Sequence, residues 1–453
     1  MSNQLLTISM ITNTALPVLS NECVLTDKMN RQYSDEFARK DAKIGATVNV
    51  RRPPRYLGTF GPALNVEPSV ETYVPVSLNY QFHVDVQFNT VNLLLDISQF
   101  KERFLQPACA AIGNRIDSDG AYFAMQNTAL SNGTVGTSPT SFSTFAQARA
   151  IMANEGAPKG MTPTVVLDPI SMASMSDGLK GLFNPQAQLS TNFETGMVAR
   201  KTAGFDWFED QNIPTWTTGA QGGTPVLAGA TSTAGGTALL TSGWAQSGTF
   251  ETSGWTNSTG VITVGDILQI KGVYPVNPQN RGQYGRALKQ FVVIPPAGYA
   301  PMSGVAAAGG PQFAAATLAN GTFNATTGVY TSGGGGLLTL YVKECLISGG
   351  QFQNASAAPV SPYTITVNGG TANASTVSPQ GLAFYRDAYA LAFADLPLPR
   401  TAVEASRAYD DELGLSIRIA TQYTINNDAE PTRMDVLYGF SGLYTGLGMR
   451  IAC

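Results

Sequence analysis

The sequence predicts an α+β protein in which an all-β segment interrupts a mixed host domain. Three observations carry this reading. From Trp216 to Tyr385, 170 residues contain eight charged side chains, whereas the other 283 contain fifty. That charge-poor stretch includes "VITVGDILQIKGVYPV" and "LKQFVVIPPAGY", strand-like runs that a polar linker would lack. On its two sides, "TAGFDWFEDQNIPTW" and "GLAFYRDAYALAFADLPLP" read as ordinary globular chain, so the host breaks off and resumes.

Residues 1–42 form an N-terminal arm. "QLLTISMITNTALPVL" could be a helix or a strand, and the polar "TDKMNRQYSDEFARKDAKIG" after it has too little apolar surface to make its own core. Residues 43–92 read as an extended β-hairpin. "TVNVRRPP" and the longer "SVETYVPVSLNYQFHVDVQFNT" alternate with period two, and a Gly/Pro-rich connection joins them. An isolated hairpin is marginal in water, so this one should lie against a neighbour.

Residues 93–140 carry a long helix. Ser98 is a good N-cap, Glu102 sits near the first turn, and apolar residues recur at Phe100, Phe104, Ala108, Ile112 and Ile116. Thirty residues would span roughly 45 Å. Pro107 predicts a kink.

Residues 141–216 hold α/β material. A helix beginning near Ser143 ends around Glu155-Gly156, "MTPTVVLDP" is a short buried strand, and "ISMASMSDGLKGLFN" is a second helix. "GMVARKTAGFDWFEDQNIPTW" reads as strand, turn and strand. Residues 217–379 are the inserted β-segment. Residues 380–453 complete the host, with helix-like apolar spacing in "AFYRDAYALAFADLPLP", then a strand, then two strands around a polar turn.

The bulk composition excludes several classes. Charged residues make up 13% of the chain, about half of the usual ~25%, so much of the surface should be covered by partners. A net charge of −4 argues against a nucleic-acid reader, which would show a basic stripe. The start lacks a basic region followed by an unbroken apolar core, so no signal peptide is expected, and no apolar run is long enough to span a membrane. The four cysteines are far apart and form no CxxC pair, so free buried thiols are expected rather than a metal or redox motif.

Candidate chemistry is sparse. A single histidine rules out multi-histidine metal sites; His83 and Asp85 share one face of a strand and read as a surface pair. "DSDG" at Asp117–Gly120 lacks the later ligands of a calcium loop and reads as a solvated helix face. Glu209-Asp210 and "YDDEL" at Tyr409–Leu413 offer paired carboxylates for hydrolysis, but adjacent acids are commoner in turns. "GGGG" at Gly333–Gly336 lacks the Lys-Ser/Thr of a phosphate loop and reads as a flexible connection. "RRPPR" (Arg51–Arg55) is the densest basic cluster; salt bridges to a neighbouring subunit fit it better than nucleic acid.

These elements in this order resemble the major capsid protein of tailed phages, the Hong Kong 97 fold, and more closely the coat proteins of short-tailed Salmonella-type phages. "VARKTAGFDWFEDQNIPTWTTG" is similar to the segment before that family's insertion, and "VGDILQIKGV" to a strand pair within it. "LAFYRDAYALAFADLPLP" resembles the return helix, and "LGLSIRIATQYTINND" with "DVLYGFSGL" the closing strands.

The resemblance implies a non-enzymatic subunit of an icosahedral shell around double-stranded DNA, made in the host bacterial cytoplasm and assembled as hexamers and pentamers. It implies a scaffolding protein and a portal as partners, non-specific contact with packaged DNA at the inner surface, and no membrane. No cofactor, metal or catalytic residue is expected. The candidate interface residues are Arg51, Arg52, Arg55 and Tyr56 at the hairpin base, with Asp35 and Glu36 in the arm. The rivals are a phage-associated hydrolase using carboxylates near Asp410 and a carbohydrate-binding module using Trp244 and Trp255.

Overall fold

Alternating side chains build the first strands of the computed structural model. β1 (Thr47–Arg52), β2 (Thr72–Ser77) and β3 (Tyr80–Asn89) come first. α1 (Gln106–Asn127), β4 (Ser131–Gly133), α2 (Phe142–Asn154), β5 (Thr164–Leu167) and α3 (Pro169–Leu179) follow. β6 (Asp206–Glu209), β7 (Thr215–Thr217), β8 (Gly223–Leu227), β9 (Leu239–Leu240) and β10 (Ser247–Trp255) come next. Then come β11 (Gly260–Thr263), β12 (Ile267–Ile270), β13 (Gln290–Val293), β14 (Ala316–Thr317) and β15 (Thr322–Asn324). β16 (Val329–Thr331), β17 (Leu338–Lys343), β18 (Leu346–Ile347), β19 (Ile365–Val367) and β20 (Val377–Phe384) lead to the last part. β21 (Tyr389–Phe393), β22 (Glu404–Asp410), β23 (Leu415–Thr421), β24 (Ala429–Gly442) and β25 (Gly448–Ala452) close the chain.

The structure describes residues 12, 15–19, 23–33, 47–89, 106–179, 198, 201–228, 239–240, 243–285, 287–296, 316–325, 327–359, 363–399, 402, 404–410, 415–423 and 429–452. Asp35 and Glu36 of the arm, Ser98 and Glu102, and residues 411–414 lie outside them. The chain divides into two units. One comprises Met1–Val50, Val74–Gly120 and Tyr389–Leu443; the other comprises Arg51–Tyr73, Ala121–Ala388 and Tyr444–Cys453.

In the first unit, β24 is the central strand. β3 pairs along it over ten positions, including His83 opposite Asp435, while β23 also pairs with its Thr432–Asp435, β21 with its Tyr438–Gly442, and β22 extends the sheet. The single long strand expected over 69–90 is therefore two. The chain breaks at Leu78-Asn79; β2 pairs with β1, and β3 changes partner to β24. Val48, Val50, Val74 and Val76 are buried and their neighbours are not, as a one-sided ribbon requires. His83 and Asp85 sit on one exposed face of β3, 3.4 Å apart.

α1 runs without interruption from Gln106, which puts Pro107 in the first turn of the described helix. Its "DSDG" run is not a solvated face. Asp117 is fully buried; its carboxylate accepts the backbone N–H of Val24 at 2.6 Å and of Thr26 at 3.0 Å, and the Thr26 hydroxyl donates to it as well. It thus satisfies the orphan donors of the 3₁₀ turn Thr26–Lys28 and fastens the arm. Gly120 leaves room for that turn, since a Cβ there would meet Thr26 Cγ2 at 2.7 Å.

In the second unit, β20 pairs with β25, β5 and β7, and β4 and β6 complete that sheet. Ser141 caps α2 by accepting from Ser143 N, and Phe145, Ala148 and Met152 form its buried stripe at helical spacing. The expected return helix in 382–399 is absent. Strand β20, a 3₁₀ turn (Arg386–Ala388) and strand β21 occupy it. β21 is buried on both faces, and a doubly buried strand is a continuous apolar run whose spacing imitates a helix.

Residues 223–367 form three further sheets of the second unit, ordered β19-β12-β13-β17-β10-β8, β11-β16-β15-β14 and the parallel pair β18-β9. One hydrophobic cluster running from Leu227 to Val367 fills them, with Phe250 and Phe291 edge to face at 5.4 Å. "GGGG" is a tight turn rather than a flexible connection. Gly333 N donates to Leu337 O at 2.8 Å, and Gly336 has φ +70° with the Trp255 carbonyl pressed against the place a Cβ would take.

Candidate subunit-contact loop and its supports

Residues 53–71 join β1 to β2 without regular structure, because Pro53, Pro54, Pro62 and Pro68 break any ladder and Gly58 and Gly61 adopt positive φ. The loop is nevertheless braced. Leu57 N donates to Glu67 Oε2 at 2.6 Å, Asn65 Nδ2 to Thr59 Oγ1 at 3.0 Å, and Tyr56 Oη pairs with Ser69 Oγ at 3.1 Å. It is also held from outside. Arg281 Nη2 donates to Tyr56 O at 2.8 Å, and Gln351 Nε2 donates to Pro68 O at 2.8 Å.

The bracing presents apolar side chains outward. Phe60 is 105% exposed, Leu64 91% and Val66 77%, with Tyr56, Leu57, Val70 and Tyr73 also exposed. Large apolar groups held in water on a rigid loop mark a surface that another molecule covers.

The arginines at the base take separate roles. Arg51 pairs with Glu71 across the strands at 3.5 Å, and both are exposed, so the pair adds little stability. The Arg52 guanidinium lies over two rings, 4.6 Å from the centroid of Tyr444 and 5.4 Å from that of Trp244. Burial pulls the Arg55 pKa below the ordinary arginine value, and the Arg52 charge adds to this while Glu344 and Glu155 oppose it. Both arginines thus have partners in their own chain. These came from residues 155–444, and nothing in the local sequence pointed to them.

The remaining candidates are structural. The Asp210 carboxylate is buried and accepts Asn212 N at 2.8 Å within a turn. Asp410 ends β22. Trp255 is buried in the cluster and donates to Thr252 Oγ1 at 2.7 Å, so it offers no sugar platform. Cys23, Cys109 and Cys345 are buried thiols not joined in disulfides, and burial raises the Cys23 and Cys345 thiols to about 12. Among the described residues no cluster of His, Cys, Asp and Glu could hold a metal, and no helix is long and apolar enough to cross a membrane.

The chain is thus a sheet-rich α+β protein with few described helices and a braced loop of exposed apolar side chains. The family model described as "P22 coat protein - gene protein 5" matches residues 2–305, well over half of the chain, and the chain belongs to that family. It is a major capsid protein, a building block of a phage shell. Solved structures also resemble it over most of its length. One titled "Mycobacterium phage Che8" is 8% identical, with 95% of this chain and 90% of that chain covered and a TM-score of 0.41. "Capsid structure of the Cyanophage P-SCSP1u" is 9% identical, covering 95% and 87%, with a TM-score of 0.37. "Asymmetric unit of bacteriophage PhiM1 mature capsid" is 7% identical, covering 90% and 82%, with a TM-score of 0.39. No curated protein matches the chain. The hydrolase and carbohydrate-module readings find no support in these comparisons.

Proposed function

We propose that this capsid protein builds an icosahedral shell of hexamers and pentamers around double-stranded DNA, with residues 53–71 seated on a second copy of the chain. The observation that carries this is the outward display of Phe60, Leu64 and Val66 on a loop stiffened by its own hydrogen bonds. A pre-ordered loop loses little entropy when it docks. Arg51, Tyr56, Asp35 and Glu36 add polar contacts around it, while Arg52 and Arg55 act by holding the loop base.

Residues 217–379 are read as an inserted β-domain of the Hong Kong 97-type subunit. Their separate hydrophobic cluster supports this, and their low charge suits a module that faces neighbouring copies. The subunit works without catalysis or cofactor. Scaffolding protein and portal are its assembly partners, and DNA touches it only non-specifically.

The test is assembly of the full chain bearing Phe60→Asp and Leu64→Asp, followed by velocity sedimentation and electron microscopy. Folded subunits that no longer form shells uphold the reading. Shells formed at the wild-type yield would remove the loop from the interface.

A further inference from the structure

One turn of the charge-poor segment collects contacts from three separate places in the second unit. The turn Thr263–Asp266 joins β11 to β12, and its Asp266 carboxylate is fully buried. That carboxylate accepts Thr263 N at 2.7 Å within the turn, Gly219 N at 3.3 Å from the inbound chain, and Asn368 Nδ2 at 2.6 Å from the outbound chain. Asn368 Oδ1 in turn accepts Ile267 N at 2.8 Å. Trp216, also inbound, donates its indole N–H to Val264 O at 3.1 Å. From β25, the buried Arg450 donates to Gly265 O, holds Gln380 Oε1 through two nitrogens, and stacks on Trp216 at 4.9 Å.

We propose that the turn Thr263–Asp266 is a clasp that fastens both ends of the inserted module to β20 and β25 of the host, and that the clasp tightens on acidification. This rests on reading residues 217–379 as an inserted module. Loss of the clasp's polar contacts would free the two connecting chains while the module's own core, which Val264 of the turn joins but which also rests on Phe250, Phe291, Leu338 and Leu340, stays folded. A cleft of about 630 Å³ lined by Trp216, Ile267, Asn368, Gln380 and Arg450 gives water access to the connections once they part.

The acid response follows from the site. Burial raises the Asp266 carboxyl to about 6, its three donors lower it, and Arg450 is the charged group that acts on it. Trp216, Gly219, Thr263 and Asn368, which also face it, do not titrate. An opened clasp exposes Asp266 to water, where its pKa returns toward 3.8. Between these values the closed form binds more protons, so closure strengthens as pH falls from neutral through 6 and gains nothing more below about 4.

Hydrogen exchange of the full-length protein, corrected for intrinsic rates, tests this at pH 7.5 and 5.0. The variants are Asp266→Asn and Asn368→Ala; the second keeps the Asp266 carboxyl in place while removing one of its donors, and so guards against failure of the first to fold. Expected is at least tenfold faster exchange at Gly219 and over 368–376 in Asn368→Ala, with β10 and β17 still protected. Wild-type protection at Gly219 is expected to be higher at pH 5.0, and Asp266→Asn to abolish that difference. Wild-type exchange at Gly219 and 368–376 in Asn368→Ala, or a pH difference that survives in Asp266→Asn, would overturn the clasp. Loss of β10 and β17 protection together with the ends would overturn it too, and with it the separate module.

Discussion

The Tyr438 hydroxyl on β24 donates to Asp119 Oδ2 on α1 at 2.6 Å, inside the first unit. Arg115 Nε reaches the same oxygen at 3.0 Å, and burial raises the Asp119 carboxyl above its ordinary value despite both donors. Removing the phenol leaves a buried carboxylate short of a donor, so Tyr438→Phe is expected to cost ~1–3 kcal/mol in urea unfolding. The Tyr438 pKa is itself raised by burial and by Asp119. The unfolded chain therefore releases that proton first as pH rises past ~10, and stability falls there. Tyr438→Phe should flatten this alkaline loss, read as the pH dependence of the unfolding midpoint.

Asp117 should act as the fastener of the arm. Asp117→Ala strips the acceptor from Val24, Leu25 and Thr26, at an expected cost of ~2–4 kcal/mol, with the losses not additive. Cys23 reports it directly. Its buried thiol, raised to about 12, resists alkylation in the wild type and should react readily in the variant at pH 8. Equal labelling of both proteins would contradict the role given to Asp117.

Phe60 separates assembly from folding. Because it stands clear of the subunit, Phe60→Ala is expected to change the unfolding free energy by less than ~0.5 kcal/mol. The concentration needed for assembly should rise by about tenfold or more, as for an anchor residue at an interface. Light scattering across a dilution series measures it.

Gly336 tolerates no side chain. With φ +70° and the Trp255 carbonyl crowding the space a methyl group would need, Gly336→Ala should cost at least ~2 kcal/mol. Thermal unfolding of the full chain provides the comparison, with Gly334→Ala, which meets nothing, as the mild control.

No lysine occurs between Lys43 and Lys101, so the loop cannot supply an isopeptide donor. Boiled, reduced particles are expected to show no ladder linked through this loop. A ladder whose crosslinks map to residues 46–90 would refute this.

Much of the architecture was legible where a side chain's surroundings follow from its spacing. The alternation in β1 and β2, the helix α2 beginning near Ser143 and ending around Glu155-Gly156, and the short apolar β5 all read correctly. The reading failed where burial acts on both sides at once. β21, with five buried residues in succession, has no polar face to betray its period, so it passed for helix. Asp117 and Asp119 failed for the opposite reason. An acid on a helix is ordinarily solvated, and only partners about 90 and 319 residues away in sequence make these two buried acceptors. Gly120 beside them was the available clue, since a glycine inside a helix needs a packing reason. At the loop, "RRPPR" marked the base, but Trp244, Arg281, Gln351 and Tyr444, which support it, come from distant sequence.

The scarcity of charge between Trp216 and Tyr385 bears on how the particle meets its medium. Screening by dissolved ions weakens attraction only where there are charges to screen, and at physiological ionic strength it acts beyond ~8 Å. Contacts made by that segment must draw on apolar area and neutral hydrogen bonds, whose strength varies with temperature far more than with ionic strength. A shell joined in this way should hold through dilution into fresh water or brine, and chilling should loosen it sooner than either.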